Sequence, residues 1–239
     1  MTNRLGPLQI VATSAFSSAG LCHGFTTTCG EPGAALARTR DVEALRVAAA
    51  FGEARTLKQV HGTEVVRAEE VANGHEADAV ITGRTDLLLT IQTADCVPLL
   101  LHDRRTGALA AVHAGWRGTA KRIAAATLEA MARAYDTRAS DVNALIGPAI
   151  GPCCFEVGDE VLQALERATL GAGARAGTTA KNRPTVDLWR ANALALREAG
   201  VGAESIHTLA LCTHCRVDLF PSFRRGDTGR MYAFVGRLS

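Results

Sequence analysis

The sequence predicts a layered α+β fold with mixed β-sheets, organised as one domain over residues 1–239. Apolar segments of strand length occur among several helical segments, and the two kinds do not alternate regularly along the chain. A Gly-x-Gly-x-x-Gly turn is absent, which argues against a doubly wound nucleotide-binding fold. The one break in composition is the Gly/Ala/Thr-rich stretch Gly171–Pro184, which is typical of a mobile surface loop. We therefore expect a single core.

Three buried strands are predicted between Asp86 and His113. Short polar segments separate the apolar runs Leu87–Thr93, Val97–Leu101 and Leu109–Val112. Runs of this length and composition are typical of strands with both faces covered.

Helices and further strands follow. Thr119 is expected to cap a helix that continues to about Tyr135, because apolar positions recur there every three to four residues. Helical spacing also occurs in Val157–Leu170, and Asp187 is expected to cap a helix over Leu188–Ala199. Strand composition is found in Val142–Ile146, Ile206–Leu211 and Met231–Leu238.

The charge distribution favours a small-molecule partner. The chain has 26 basic and 24 acidic residues, and they are interspersed, so no basic face for nucleic acid or an anionic membrane stands out. No apolar run approaches the roughly 18 residues of a membrane helix, and we expect a cytoplasmic protein. Seven cysteines without a signal peptide fit a reducing compartment, where thiols serve metal binding or catalysis.

Two histidines and one cysteine are the candidate catalytic metal ligands. Cys96 and His113 stand at or just beyond strand ends, and His61 precedes Gly62, which would allow a close backbone turn. Two imidazoles and a thiolate suit zinc, and three protein ligands leave a fourth position open for water or substrate. The residues alone also permit a second interpretation, in which the histidines are structural and the thiol belongs to the core.

Short segments spread over almost the whole chain carry a family resemblance. They are His23-Gly24-Phe25, Lys58-Gln59-Val60-His61-Gly62, Ala77-Asp78-Ala79, Thr93-Ala94-Asp95-Cys96-Val97-Pro98, Val112-His113-Ala114-Gly115-Trp116-Arg117-Gly118, Ile146-Gly147-Pro148, Phe155-Glu156-Val157, Arg224-Arg225 and Thr228-Gly229-Arg230. On these segments the chain resembles the laccase-domain family, whose members are also described as purine nucleoside phosphorylases or peptidoglycan editing factors.

The resemblance implies a four-layer α/β/β/α sandwich and a zinc ion bound by His61, Cys96 and His113. Copper could replace the zinc, because it binds such ligands more tightly. It also implies phosphorolysis of purine nucleosides (adenosine, inosine, guanosine and methylthioadenosine), with adenosine deamination as a further activity. Thr28 stands where the family usually has an arginine.

Phosphorolysis sets requirements for the substrate site. Inorganic phosphate attacks the ribose C1′ while the purine leaves, so cations are needed near the phosphate. Arg117, beside glycines at the predicted helix start, suits an anion site. Asp95 and Gln59 are the other expected substrate contacts. Asp95 is also a candidate acid or base for deamination, although it could equally be a structural carboxylate that holds the neighbouring turn.

Other functions remain open at this point. Cys96 could act as a thiolate activated by His113 or His61, giving a hydrolase or amidase that edits a peptidoglycan precursor such as UDP-MurNAc-L-Ser. A copper-dependent polyphenol oxidase ranks lower, because the seven histidines are scattered without one His-x-His pair. A non-enzymatic metal-binding partner protein is the remaining alternative.

Cys212-Thr213-His214-Cys215 raises the question of a second metal site, which Cys153-Cys154 could complete. A Cys-x-x-Cys motif without a second such motif is weak evidence for metal. The sequence therefore favours a buried thiol at a strand end for Cys212.

Overall fold

The computed structural model describes residues 2–27, 39–169, 174–179 and 182–239. The strands are β1 Thr2–Leu5, β2 Leu8–Val11, β3 Leu21–Thr26, β4 Glu53–Arg55, β5 Leu57–Lys58, β6 Val65–Arg67, β7 His75–Glu76, β8 Ala79–Thr82, β9 Leu87–Thr93, β10 Val97–Asp103, β11 Leu109–Ala114, β12 Val142–Ile146, β13 Arg175–Thr178, β14 Pro184–Val186, β15 Ile206–Thr208 and β16 Met231–Arg237. The α-helices within the described residues are α1 Thr39–Ala48, α2 Trp116–Ala120, α3 Ile123–Tyr135, α4 Asp159–Ala168 and α5 Leu188–Glu198.

Two six-stranded mixed sheets form the centre of the fold. The first has the order β1-β2-β3-β16-β9-β4, and the second has the order β15-β12-β10-β11-β8-β6. Parallel pairs occur in both sheets next to antiparallel ones. The chain passes from the first sheet to the second in the short turn between β9 and β10, so this turn lies where the two sheets meet.

Successive side chains of each strand point to opposite faces of the sheet, and both faces are buried. Leu87, Leu89 and Ile91 of β9 pack between the sheets, together with Leu100 of β10 and Ala111 of β11. The neighbouring positions point to the outer faces instead. Because both faces are buried, these strands have no polar alternation, which explains the continuous apolar runs in the sequence.

Helices cover the outer faces. On the second sheet, Leu99 and Val112 pack against α3, α4 and α5 through residues such as Met131, Leu165 and Leu196. On the first sheet, the outward positions pack against α1 and the segment after it, as in the cluster of Ile10, Val42, Leu45, Phe51, Leu88, Tyr232 and Phe234. The order of layers is α/β/β/α, so the predicted α+β class and the four-layer arrangement are confirmed.

Several predicted elements have the predicted bounds. Leu87–Thr93 and Val142–Ile146 are strands at the residues expected. Asp187 caps α5, since its carboxylate accepts the N–H of Arg190 at 2.9 Å, and Gly200 ends the helix with a φ of +101°. The strand expected over Ile206–Leu211 is shorter in the structure, where β15 ends at Thr208.

The helix predicted from Thr119 to Tyr135 is divided. Its first part is α2, which begins at Trp116 with Gly115 at the N-cap position. Arg122 then adopts a left-handed conformation with a φ of +63°, and α3 begins after it. Thr119 lies inside α2 and donates its hydroxyl to the carbonyl of Ala114, so the prediction that it caps the helix was wrong.

The stretch Gly171–Pro184 is only partly a loop. Arg175–Thr178 and Pro184–Val186 pair as a two-stranded antiparallel sheet whose first strand is exposed, while residues 171–173 and 180–181 lie outside the described residues. Among the described residues, no helix has the length and apolar character needed to span a membrane.

Candidate metal centre

His61, Cys96 and His113 come together at the junction of the two sheets. Cys96 lies in the turn between β9 and β10, His113 is in β11, and His61 lies in the loop between β5 and β6. Their donor atoms all lie within 4.8 Å of one another, and the Cys96 sulfur is 4.0 Å from Nε2 of His61. The two imidazole rings meet edge to face, with centroids 4.8 Å apart. His61 and Cys96 are 35 positions apart in sequence and Cys96 and His113 are 17 apart, yet the three residues form one donor set.

Asp78 holds this arrangement in place. Its buried carboxylate accepts Nδ1–H of His113 at 2.7 Å, which directs the other ring nitrogen towards the donor set. The same carboxylate accepts the backbone N–H groups of Val60, His61 and Gly62 at 3.3, 2.9 and 2.6 Å. One side chain therefore orients His113 and fixes the turn that carries His61.

The turn at His61 is conformationally costly. His61 has a φ of +60°, a left-handed conformation that non-glycine residues adopt rarely. The sequence suggested that Gly62 would supply this freedom, but the positive φ belongs to the histidine itself. The three N–H groups bound by Asp78 offset the cost, in keeping with the tendency of such strain to occur at functional sites.

The electrostatics of the centre favour an ionised thiol. Burial would raise the pKa of the Cys96 thiol, but hydrogen bonds from His113 and His61 lower it to about 7. Burial would lower the pKa of His113, whereas its bonds to the Asp78 carboxylate and the Cys96 sulfur raise it to about 9. A thiol that ionises near neutral pH suits metal ligation, because the thiolate is the ligand.

The three residues line a cleft of about 460 Å³. The other described residues that line it are Leu57, Lys58, Gln59, Gln92, Thr93, Ala94, Phe223 and Arg230. Two of these are cations, and none of the described lining residues is acidic. Phe223 is 70% exposed, so a large apolar ring is available at the mouth.

Sequence reasoning assigned no role to Asp78 or Arg230. Both lie in segments that carry the family resemblance, so a signal was available. The resemblance marks the position of Asp78, but only the fold shows its role, which is to accept four hydrogen bonds. Arg230 reaches the cleft from the segment before β16, and its guanidinium also bonds to the carbonyls of Thr228 and Gly229.

Gln59 and Asp95 are held by protein groups. The amide of Gln59 lines the cleft, but it pairs with the backbone of Gln92, through both its nitrogen and its oxygen at 2.7 Å. The carboxylate of Asp95 is buried and accepts the hydroxyls of Thr213 and Ser222 and the N–H of Arg224, at 2.6, 3.0 and 2.7 Å. Of the two uses considered for Asp95, the geometry favours the structural one.

The structure does not bring Arg117 into the cleft. It lies in the five-residue helix α2, with its guanidinium 4.4 Å from the ring centroid of Trp116. Both residues line a separate pocket of about 540 Å³, together with Lys121 and Arg167. Arg117 thus stands in the first turn of the short helix α2 and not at the start of the longer helix α3, which begins only after Arg122. Thr28 lies outside the described residues.

Gly115 limits the space beside the donor set. A Cβ atom at this position would lie 3.0 Å from the Cys96 sulfur and 3.1 Å from Cδ2 of His61.

Gly115→Ala is therefore expected to weaken metal binding by about tenfold, since forcing a methyl group into a packed site costs about 1–3 kcal/mol. Titration with a chromophoric chelator measures this change. Gly177→Ala is the control, because a Cβ there would meet only Thr185 Oγ1 at 3.6 Å; equal losses in both variants would contradict the steric argument.

Comparison with known proteins places the chain in a family. Residues 17–238 match the family described as multi-copper polyphenol oxidoreductase laccase. A protein of Bacteroides thetaiotaomicron named purine nucleoside phosphorylase is 40% identical over 154 residues, which are 63% of this chain and 56% of that protein. A protein of Deinococcus radiodurans with the same name is 40% identical over 199 residues, 80% of this chain and 74% of that protein.

A solved structure extends the similarity to the fold. The crystal structure of YlmD from Geobacillus stearothermophilus has a TM-score of 0.85 and 32% identity, over 97% of this chain and 96% of that chain. The chain spans little more than half the length of the Bacteroides relative. Because the family match covers almost the whole sequence, this chain belongs to the multi-copper polyphenol oxidoreductase laccase family.

Proposed function

We propose that this chain is a zinc-dependent purine nucleoside phosphorylase that works as a single domain over residues 1–239. The observation that carries the proposal is the convergence of His61, Cys96 and His113 in the wall of a cleft that is also lined by cationic side chains. The names of the Bacteroides and Deinococcus relatives support the same reaction.

The donor set fits a zinc ion. His61, Cys96 and His113 would hold it, since two imidazoles and one thiolate are borderline-soft ligands that zinc prefers, and copper could replace it. When bound at three protein ligands, zinc supplies a Lewis acid with an open position for a substrate oxygen or nitrogen. The fixed turn at His61 and the bond between His113 and Asp78 keep the donors in place before the metal arrives.

The remaining lining residues suit a nucleoside and phosphate. Arg230 provides a guanidinium, which matches a phosphate group through parallel hydrogen bonds. Lys58 adds a second cation, although it is paired with Glu76 at 2.7 Å. Phe223 offers a face on which a purine can stack. In the reaction a phosphate oxygen bonds to C1′ as the C1′–N9 bond breaks, and the bond electrons leave with the purine.

The composition of the cleft favours phosphorolysis over deamination. A hydrolytic deaminase of the known zinc type needs a carboxylate as general acid and base near the metal. No described residue that lines the cleft is acidic, and the nearby carboxylates of Asp78 and Asp95 each accept several hydrogen bonds from protein groups. Adenosine deamination is therefore the second reaction, and it would need a proton donor other than a carboxylate.

The direct test uses purified protein with inorganic phosphate and each of inosine, adenosine, guanosine and methylthioadenosine. We expect ribose 1-phosphate, or its methylthio analogue, to form together with the free base. Formation of inosine from adenosine would reveal deamination. Absence of phosphate-dependent turnover with all four nucleosides would reject the proposal and favour the alternative in which Cys96 is a thiolate nucleophile.

Substitution of two arginines tests which of them binds phosphate. The structure favours Arg230, which lines the cleft, whereas the sequence favoured Arg117. Arg230→Ala is expected to raise the KM for phosphate about 10-fold to 100-fold, since a hydrogen bond to a charged group contributes about 1.5–3 kcal/mol. Arg117→Ala, which changes the separate pocket, is expected to leave this KM unchanged. Steady-state kinetics with varied phosphate decide, and the opposite pattern would return phosphate binding to Arg117.

A further inference from the structure

Four cysteine sulfurs meet at a second place in the molecule. Cys153 and Cys154 lie in the turn after β12, and Cys212 and Cys215 lie in the turn after β15. All four sulfurs are within 4.8 Å of one another, and that of Cys215 is 3.7 Å from Cys153 and 3.4 Å from Cys154. Cys212 is buried, as the sequence suggested, but it is not an isolated thiol.

The backbone holds these two turns against each other. Residues Ala149 and Cys212 form a parallel bridge, in which the N–H of Ala149 bonds to Leu211 and that of Thr213 bonds to Ala149, at 3.2 and 3.0 Å. The N–H of Gly151 points at the Cys212 sulfur, at a distance of 3.2 Å. Donors of this kind are the outer shell that orients metal-bound thiolates.

We propose that Cys153, Cys154, Cys212 and Cys215 bind a second metal ion, a structural zinc. In a tetrahedral site with zinc–sulfur bonds of about 2.3 Å, the sulfurs lie about 3.8 Å apart, close to the two separations above. Four protein ligands close the coordination shell, which is the mark of a structural rather than a catalytic zinc site. The thiols release their protons to solvent as the ion binds. A multi-iron cluster would need more room between the sulfurs.

The location gives this ion a role in the cleft. Thr213, next to Cys212, donates its hydroxyl to Asp95, which directly precedes Cys96. The side chain of Arg225 binds the carbonyls of Thr213 and His214 at 2.9 and 2.8 Å. The segment that carries Phe223 into the cleft is thus attached to the four-cysteine site at one end. The ion fixes this wall of the cleft without touching the substrate.

The test is the metal content of the full-length protein, purified with a non-thiol reductant. We expect about two zinc ions per chain, one at each of the two sites. The Cys153→Ser/Cys215→Ser variant is expected to lose about one of them and to melt several degrees lower. Both substituted residues are exposed, so the change itself should not disturb the core. Cobalt replacement provides a second readout, because four thiolates give much stronger sulfur-to-cobalt absorption than one.

Matched variants separate the two sites. Cys96→Ser should lose the other zinc ion and keep the strong cobalt absorption, while Cys22→Ser, outside both sites, should keep both ions. The inference is overturned if the wild type and the Cys153→Ser/Cys215→Ser variant hold the same amount of zinc. It is also overturned if mass spectrometry finds these cysteines joined as disulfides in freshly purified protein. Neither outcome depends on phosphorolysis.

Discussion

Cys96→Ser is expected to remove the metal from the centre formed with His61 and His113 and to abolish turnover. The thiolate is the softest of the three donors, and a serine hydroxyl at neutral pH is a poor replacement for it. Because loss of an outer-shell partner alone costs roughly 10–100-fold in metal affinity, loss of the ligand itself is expected to cost more than about 100-fold. Equilibrium dialysis against a metal buffer and the phosphorolysis assay measure the two effects.

A second substitution at Cys96 distinguishes a ligand from a nucleophile. Cys96→Asp retains a group that zinc accepts but removes any thiolate. We expect it to keep part of the metal and a measurable part of the activity. A Cys96→Asp protein that is fully loaded with metal and completely inactive would contradict the ligand role and support the thiolate mechanism. Cys22→Ser is the control, since Cys22 is a free cysteine in β3, outside the donor set.

Asp78→Asn is expected to have the second large effect, although Asp78 does not touch the metal position. The asparagine amide cannot accept hydrogen bonds at its nitrogen, so at least one N–H of the His61 turn or of His113 loses its acceptor. We expect a decrease in metal affinity of roughly 10–100-fold. The free energy of unfolding should fall as well, by about 1–3 kcal/mol for each buried group left without a partner.

Asp103→Asn is the matched control. Asp103 is equally buried and also binds backbone N–H groups, those of Arg105 and Thr106, but at the opposite end of β10 from Cys96. The Asp103→Asn variant should have a lower free energy of unfolding in urea titrations and an unchanged metal affinity. Equal losses of metal affinity in the two variants would show that Asp78 acts only through general stability.

The strands of the two sheets could be predicted where burial on both faces gives a continuous apolar run, as in Leu87–Thr93 and Val142–Ile146. The strands β5 and β7, which pair with each other outside the two large sheets, have two residues each, too few to produce a pattern. The division of the helix at Arg122 was also hidden. Arginine is a good helix former, so nothing local indicates its left-handed conformation.

The three proposed ligands were predictable by residue type and resemblance, because thiol and imidazole have few other uses together. Their neighbours were harder, since an aspartate or arginine can be a solvent-exposed charge, a hydrogen-bond acceptor in the core or a substrate contact. Arg117 and Asp95 stand close to ligands in sequence, yet the fold directs one to another pocket and uses the other to hold a loop. Asp78 and Arg230 stand next to no ligand in sequence, yet the fold bonds Asp78 to His113 and brings Arg230 to the cleft that Cys96 lines.

Removal and return of the metal tests the central claim most directly. The full-length protein is treated with a chelator, its metal content is measured, and phosphate-dependent release of ribose 1-phosphate from inosine is followed before and after zinc is added back. We expect activity to disappear with the metal and to return in proportion to the zinc bound at His61, Cys96 and His113. Undiminished phosphorolysis by the metal-free protein would contradict the claim.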